Sequence, residues 1–205
     1  SNTTAADNTA VGAASLYANT TGANNVAIGR QALVANTTGA ANTAIGCGAL
    51  DANTTASNNI AVGTNALGAN TTGEVNTAVG TASMATNTTG FGNTAVGKNS
   101  LYTNNGNNNT AVGHEALELN TSGANNVAVG RQALEANTTG ADNTAIGACA
   151  LNDNTTGADN VAMGSCALDS NITGSSNVAI GYSALTTNTA SNNTAVGHLA
   201  LRYNV

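Results

Sequence analysis

The sequence has no proline and no tryptophan, and it has only one phenylalanine and four tyrosines in 205 residues. A conventional globular core of this length would be built from larger side chains, so the shortage of aromatics argues against such a core. Charged residues make up only 7%, and the four basic ones leave a net charge of −6. This charge balance argues against nucleic acid or an anionic membrane as a partner. No run is long and apolar enough to insert into a bilayer.

The main feature of the sequence is an internal repeat. The motif Asn-x-Ala-x-Gly recurs at steps of 17 residues, shortened to 16 after Asn93 and Asn177. Internal periodicity of this kind is typical of stacked units that cannot fold singly. We therefore treat residues 1–205 as a single repeat domain, and because both ends fall inside a repeat, we expect it to be a fragment of a longer fibrous protein. The twelve copies begin at Asn8, Asn25, Asn42, Asn59, Asn76, Asn93, Asn109, Asn126, Asn143, Asn160, Asn177 and Asn193.

Some positions of the repeat hardly vary from copy to copy. Counting from the first Asn, positions 1, 3, 5 and 12 are always Asn, Ala, Gly and Asn. Position 4 is Val, Ile or Met, position 8 is Ala or Ser, and position 9 is Leu except at Met84. Positions 6, 7, 10 and 11 carry most of the variety, as expected of side chains that meet water. Disorder would not require these restrictions, so the low-charge composition does not indicate a disordered chain.

The repeat predicts two short strands in each coil. Positions 2 to 4 are β-branched residues around an alanine, as in Thr43–Ile45, and the following Gly46 ends the strand. Positions 7 to 10, such as residues 132–135, form the second predicted strand. The Asn-Thr-Thr-Gly at positions 12 to 15 is typical of a turn, and roughly six residues between breakers are too few for a helix. We therefore predict an all-β fold, a β-solenoid or β-roll of twelve coils.

Stacking places identical positions directly above one another, at about 4.8 Å. Positions 1 and 12 then become two Asn ladders whose amides bond from coil to coil, and positions 13 and 14 become Thr ladders. The two 16-residue copies fit this arrangement, because each loses one residue from the Thr-Thr turn, at residues 104–106 and 188–190. Both predicted strands therefore stay intact in the short copies.

Side-chain alternation predicts which positions face inward. We expect the Val or Ile of position 4 and the Leu of position 9 to fill the coil, with positions 3 and 8 facing outward. Water would tolerate almost any residue at position 3, yet it is always Ala. A partner surface is the simplest explanation, so we expect self-association. In the alternative arrangement, the small Ala lies inside a thin coil while Val or Ile and Leu form the seam between chains.

The repeat resembles those of known fibrous proteins. Residues 25–29 and 177–181 read Asn-Val-Ala-Ile-Gly, followed by two free residues and a small one. This pattern resembles the head repeat of trimeric autotransporter adhesins, which form a left-handed β-roll in a tight trimer. It is also similar to the Asn-Thr-Ala-x-Gly-x-x-Ala-Leu arrays of phage tail fibres and bacterial surface proteins. The resemblance spans the whole chain, although the repeat here is longer by Asn-Thr-Thr-Gly, and it implies a parallel homotrimer.

The cysteines and histidines are candidates for redox or metal chemistry. Cys149 and Cys166 share position 7 of consecutive copies, so their Cα atoms are expected about 5 Å apart, within the range of a disulfide. Their parallel Cβ vectors suit a bridge poorly, which favours two free thiols. Cys47 lies in a distant copy and is expected to be unpaired. His114 and His198 share position 6 but are five coils apart, which excludes a joint metal site.

The remaining polar motifs do not predict a catalytic or metal site. Asp142 and Asp159 stack at position 17 with Asp153 one corner away, but calcium needs six to eight oxygens and neighbouring copies offer mainly Asn, Ser and Ala. The Asn-x-Thr triplets, such as those at Asn19 and Asn137, match the glycosylation pattern, yet the Asn ladder already explains their period. No catalytic grouping recurs at a spacing that the rod would bring together. We therefore expect no enzyme activity and no cofactor.

Three functional classes fit this pattern. The first is a structural or adhesive rod or head segment of an extracellular, cell-surface or virion fibre, with the variable positions available to a host glycan or matrix protein. The second is an ice-binding β-solenoid that uses Thr ladders. The third is a non-catalytic part of a polysaccharide-binding tail spike, although the sequence shows few aromatic platforms for sugars. We expect no nucleic-acid partner and no membrane insertion by this segment.

Overall fold

A computed structural model describes residues 5–204 and contains twelve short strands, one in each repeat. Neighbouring strands pair in parallel and in chain order, which produces one twelve-stranded sheet. The strands are β1 (Thr9–Val11), β2 (Val26–Ile28), β3 (Thr43–Ile45), β4 (Ile60–Val62), β5 (Thr77–Val79), β6 (Thr94–Val96), β7 (Thr110–Val112), β8 (Val127–Val129), β9 (Thr144–Ile146), β10 (Val161–Met163), β11 (Val178–Ile180) and β12 (Thr194–Val196).

The strand register follows the sequence period. Ala27 of β2 pairs with Ala44 of β3, and the same position pairs across the first 16-residue copy, where Ala95 lies opposite Ala111. The predicted all-β solenoid of about 17-residue coils is therefore confirmed, and residues 5–204 include no helix. These residues accordingly include no helix that is long and apolar enough to span a membrane.

The prediction of a second strand at positions 7 to 10 is wrong. These residues form a series of turns in which positions 7 and 9 have positive φ, as at Gln132 (+56°) and Leu134 (+54°). A strand would send the side chains of adjacent positions 8 and 9 to opposite faces. The left-handed conformation at position 9 instead lets Ala133 and Leu134 point inward together, and both are fully buried.

The interior also corrects the predicted sidedness of the strand. Ala128 at position 3 has no exposed surface, as do Ala133 and Leu134, whereas Ile146 at position 4 of the next coil is 38% exposed. The coil is thin, so one Leu per coil occupies most of its width and only a small residue fits opposite. Ser83 Oγ at position 8 donates to the Ala95 carbonyl at position 3 of the next coil, at 3.2 Å. The first predicted arrangement, with positions 4 and 9 inside the coil, was therefore right for Leu and wrong for positions 3, 4 and 8. The alternative arrangement, with the small Ala inside and Val, Ile and Leu outside, was right for Ala and for Val or Ile, and wrong for Leu.

Two buried Asn ladders run along the rod, as predicted. At position 1, Asn126 Oδ1 accepts the backbone N–H of Asn143 in the next coil at 3.0 Å. At position 12, Asn137 Nδ2 donates to Asn120 Oδ1 in the preceding coil at 2.8 Å. Within one coil, both ladders converge on position 15, since the Gly140 carbonyl accepts from Asn126 at 2.9 Å and from Asn137 at 3.0 Å. The amides therefore satisfy backbone groups that the turn would otherwise bury without a partner.

The 16-residue coils lose position 14 and keep the ladder contacts to position 15. Asn104 Nδ2 donates to the Gly106 carbonyl at 3.0 Å, and Asn188 makes the equivalent bond to Ala190 at 2.8 Å. The second deletion interrupts the position-12 ladder, because Asn188 does not donate to Asn171. Asn171 Oδ1 is the one buried side-chain oxygen or nitrogen in the described part of the chain that has no hydrogen-bond partner.

Most coils have two glycine corners, at positions 5 and 15. Gly113, at position 5, has φ +143°, and a Cβ added there would lie 2.4 Å from the carbonyl oxygen of Gly130 in the next coil. Gly123, at position 15, does not need a positive φ, but an added Cβ would lie 2.2 Å from the Gly140 carbonyl oxygen. The first corner therefore needs glycine for its backbone angle and for its close approach, and the second for the close approach alone.

Candidate interaction surface

The outer face of the sheet is formed by positions 2 and 4 of every coil. Alternation along the strand turns these side chains away from the buried Ala of position 3. Position 2 is half-buried along most of the rod, while position 4 is exposed in β2, β3, β6 and β7 at 37–38%. Because the strands pair in register, each position forms a straight column. We call the two columns together the sheet face.

The sheet face has no charged residue in any copy. Position 2 consists of Thr, Val and Ile, and position 4 consists of Val, Ile and Met. Strand geometry gives the two columns a separation of about 7 Å and a length of roughly 50 Å. Soluble monomers rarely expose a contiguous apolar patch of more than a few hundred Å². The sheet face is therefore the candidate interaction surface of the described residues.

Charges of opposite sign border the sheet face. Position 6 follows the glycine that ends each strand, and it carries Arg30, Lys98 and Arg131, all exposed. Position 17 precedes the Asn before each strand, and its exposed carboxylates are Asp142 and Asp159, together with Asp7 ahead of the first coil. The few charges on one flank are therefore basic, and those on the opposite flank are acidic.

The predicted Thr ladders lie away from the sheet face. Thr138 Oγ1 at position 13 donates to the Thr155 carbonyl of the next coil at 2.9 Å, so this column holds coils together. Thr139 at position 14 is exposed. Because positions 13 and 14 are adjacent in a turn, they do not form a paired array on one strand surface.

An acidic cluster that we did not predict lies on the turn side of coils 7 and 8. Carboxylate oxygens of Glu115, Glu118 and Glu135 lie within 4.8 Å of one another, and theirs is the only three-residue group of possible metal ligands in residues 5–204. Burial raises the pKa of Glu118, and Glu115 and Glu135 raise it further. The period could have indicated this cluster, since Glu118 and Glu135 share position 10. Asp142, Asp153 and Asp159 are not brought into any such group.

The two histidines have separate neighbours, as expected from their spacing. His114 Nδ1 lies 3.3 Å from Glu115 Oε2 at an exposed site. The His198 ring stacks on Tyr182 with centroids 5.4 Å apart. A shallow recess elsewhere is lined by Val75 and Phe91, both at least half exposed.

All three cysteines are free thiols and are partly buried, which agrees with the interpretation that we favoured. Arg131 Nη2 lies 3.3 Å from Cys149 Sγ, and Arg30 Nη2 lies 3.2 Å from Cys47 Sγ. Burial raises the pKa of Cys149, and the interaction with the neighbouring Cys166 adds to that increase, while Arg131 opposes it.

Comparison with known proteins finds no family model, curated protein or solved structure that matches this chain.

Proposed function

We propose that this chain is a structural and adhesive rod or head segment of a secreted, cell-surface or virion fibre, in which three parallel chains cover one another's sheet faces. The observation that supports this proposal is the uncharged, half-exposed sheet face, which extends along all twelve strands. A strand that is apolar on both sides is normally covered on both sides. A second copy has the same length and the same periodic surface, which makes it a natural cover.

The bordering charges favour parallel chains. When parallel chains turn their sheet faces toward a common axis, the position-6 flank of one chain meets the position-17 flank of the next. Arg131 of one chain then lies on the side of Asp142 of its neighbour. An antiparallel pair would place like flanks together, so the basic residues of one chain would not face the acidic residues of the other. The number of three rests on the resemblance to adhesin heads.

The side chains on the outer surface of such an assembly support a fibre function. Positions 7, 10 and 11 stay on the outer surface, and they vary in chemistry from copy to copy. An adhesive surface that binds a host glycan or matrix protein would use these positions. We assign no catalytic group among the described residues of this outer surface, and we therefore propose a non-enzymatic role.

Light scattering tests the association. The protein should have about three times the 19.8 kDa chain mass. Val112→Arg combined with Val129→Arg places two charges on the sheet face and should yield monomers, whereas Ser122→Arg with Thr139→Arg, in the same two coils, should leave the mass unchanged. A wild-type monomer would contradict the proposal, and a dimer would contradict the trimer. Ala111→Arg with Ala128→Arg is less informative, because these side chains are buried and the change should unfold the coil.

An ice-binding role is a second candidate because of the sheet face rather than the Thr turns. The face presents in-register columns in which successive residues lie about 4.8 Å apart along the rod, and seven of its twelve position-2 residues are Thr. Position 4 contributes no hydroxyl. Thermal hysteresis measured on a folded monomer would support ice binding, and its absence would exclude it.

A further inference from the structure

We propose that Cys149 and Cys166 together bind one soft, thiophilic d¹⁰ metal ion, such as Ag(I) or Cu(I), with two-coordinate geometry. The two thiols occupy position 7 of consecutive coils 9 and 10. The site is independent of the sheet face and of the function proposed above.

The backbone fixes the two cysteines in equivalent conformations. Their φ angles are +56° and +55°, and each N–H donates at 2.9 Å to the position-6 carbonyl of the preceding coil, Arg131 for Cys149 and Ala148 for Cys166. Equal conformations in stacked coils give parallel Cα–Cβ bonds. The two Cβ atoms are therefore separated by about the coil spacing of 4.8 Å.

This separation suits a bridging ion better than a disulfide. A disulfide requires Cβ atoms about 3.5–4.5 Å apart and sulfur atoms about 2.05 Å apart, so the two coils would have to be drawn together. A metal–sulfur bond of roughly 2.3 Å, as for zinc, places the sulfur atoms of a linear S–M–S unit about 4.6 Å apart. That value is close to the coil spacing, and soft thiolates select soft ions.

Burial raises the pKa of Cys149, and Arg131 is the neighbouring group that opposes this shift and favours the thiolate form that a metal needs. Arg131 Nη2 lies 3.3 Å from Cys149 Sγ. On binding, both thiols lose their protons to solvent and two metal–sulfur bonds form, with no change in oxidation state. A monovalent ion with two thiolates carries one negative charge, which the guanidinium offsets.

The chain includes its own control for the pair. Cys47 also has an arginine beside it, with Arg30 Nη2 at 3.2 Å from its sulfur. The residues at the same position in the adjacent coils are Arg30 and Thr64, so Cys47 has no second thiol above or below it. Any metal affinity that comes from one thiol and one arginine should therefore also appear at Cys47.

Silver(I) provides a redox-inert probe, measured in competition with a chromogenic chelator. Cys47→Ser keeps the pair and should bind one Ag(I) per chain. Cys166→Ser keeps Cys149 and Cys47 as single thiols and should bind roughly 10²-fold more weakly or worse, because the second contact is lost. Position 7 holds Ser183 in the next coil, so serine is compatible with the fold. Circular dichroism should confirm that both variants are folded.

Four results would overturn the proposal. The first is equal silver affinity in Cys47→Ser and Cys166→Ser. The second is X-ray absorption of the silver complex of Cys47→Ser that shows one sulfur neighbour rather than two. The third is a native mass spectrum in which one Ag(I) links two chains rather than residing within one. Ready formation of an intrachain disulfide in Cys47→Ser under mild oxidant would contradict the parallel geometry from which the site is derived.

Discussion

The two corners of a coil, at positions 5 and 15, are stabilised in different ways. At position 5, exemplified by Gly113, the backbone itself makes the corner, with φ +143° and a carbonyl of the next coil in the space of a side chain. At position 15, exemplified by Gly123, two asparagine amides shape the corner by donating to its carbonyl, each at 2.9 Å. Position 5 is Gly in every copy, whereas position 15 is Ala at Ala56 and Ala190. A corner built on a backbone angle tolerates no substitution, and one built on side-chain hydrogen bonds tolerates a methyl group.

The largest expected effect is at the backbone-built corner. Gly113→Val imposes a left-handed angle on a β-branched residue and drives its Cβ against the Gly130 carbonyl. Strain and overpacking together should lower the free energy of unfolding by roughly 2–6 kcal/mol. His114→Val, one residue later on an exposed side chain, should change it by about 0.5 kcal/mol or less. Thermal melts of the two variants compare them directly, and equal losses would show that position 5 is not constrained.

A smaller loss is expected when the amides of the second corner are removed. Asn120 donates to Asn104 Oδ1 and to the Gly123 carbonyl, and accepts from Asn137. Asn120→Leu should therefore cost about 3 kcal/mol, at roughly 1 kcal/mol for each hydrogen bond. Asn171→Leu is the matched control, because its Oδ1 already lacks a partner, and it should cost about one bond less. Denaturant unfolding measures both, and a larger loss at Asn171 would contradict the ladder account.

The methyl group itself should have a still smaller effect at position 15. Gly123→Ala adds a Cβ close to the Gly140 carbonyl, but Ala56 shows that a coil can adjust to it while the side chain stays buried. We expect a cost of about 1–2 kcal/mol, at the lower end for overpacking. Gly113→Ala is the companion variant, and a melting temperature equal to that of Gly123→Ala would remove the distinction between the corners.

The smallest expected effect is the change of stability with pH, which comes from carboxyl groups on the turn side of the coil. Burial raises the pKa of Asp51, Glu118 and Asp169 in the folded chain. A raised pKa means that the folded state holds these protons more tightly than the unfolded state, so their contribution to stability falls as pH rises through that interval. The melting temperature should therefore not decrease between pH 7 and about pH 4, the ordinary range of these carboxyls. Glu118→Gln should reduce the pH dependence, and a steep acid loss in the wild type would contradict this prediction.

The sequence predicts what depends on period, and it fails where a backbone angle departs from the rule for its residue type. The coil length, the register and the Asn ladders follow from the spacing alone. The orientations of Val129 and Ala133 do not, because the prediction assumed strand alternation on both sides of the coil. Leucine resists the left-handed region, so nothing in its identity indicated φ +54° at Leu134. The glutamate cluster could have been predicted from the sequence, because Glu118 and Glu135 are one period apart.

The chain-order pairing of the strands also has a consequence for how the rod folds. Every strand bonds only to the strands one repeat before and after it, so no contact requires the chain to close a loop much longer than one coil. The entropy lost on loop closure is then nearly the same for each added coil and does not increase with the length of the rod. Folding can begin at any coil and advance in both directions. A chain leaving the ribosome can therefore assemble as it emerges, each new coil using the last one as its template.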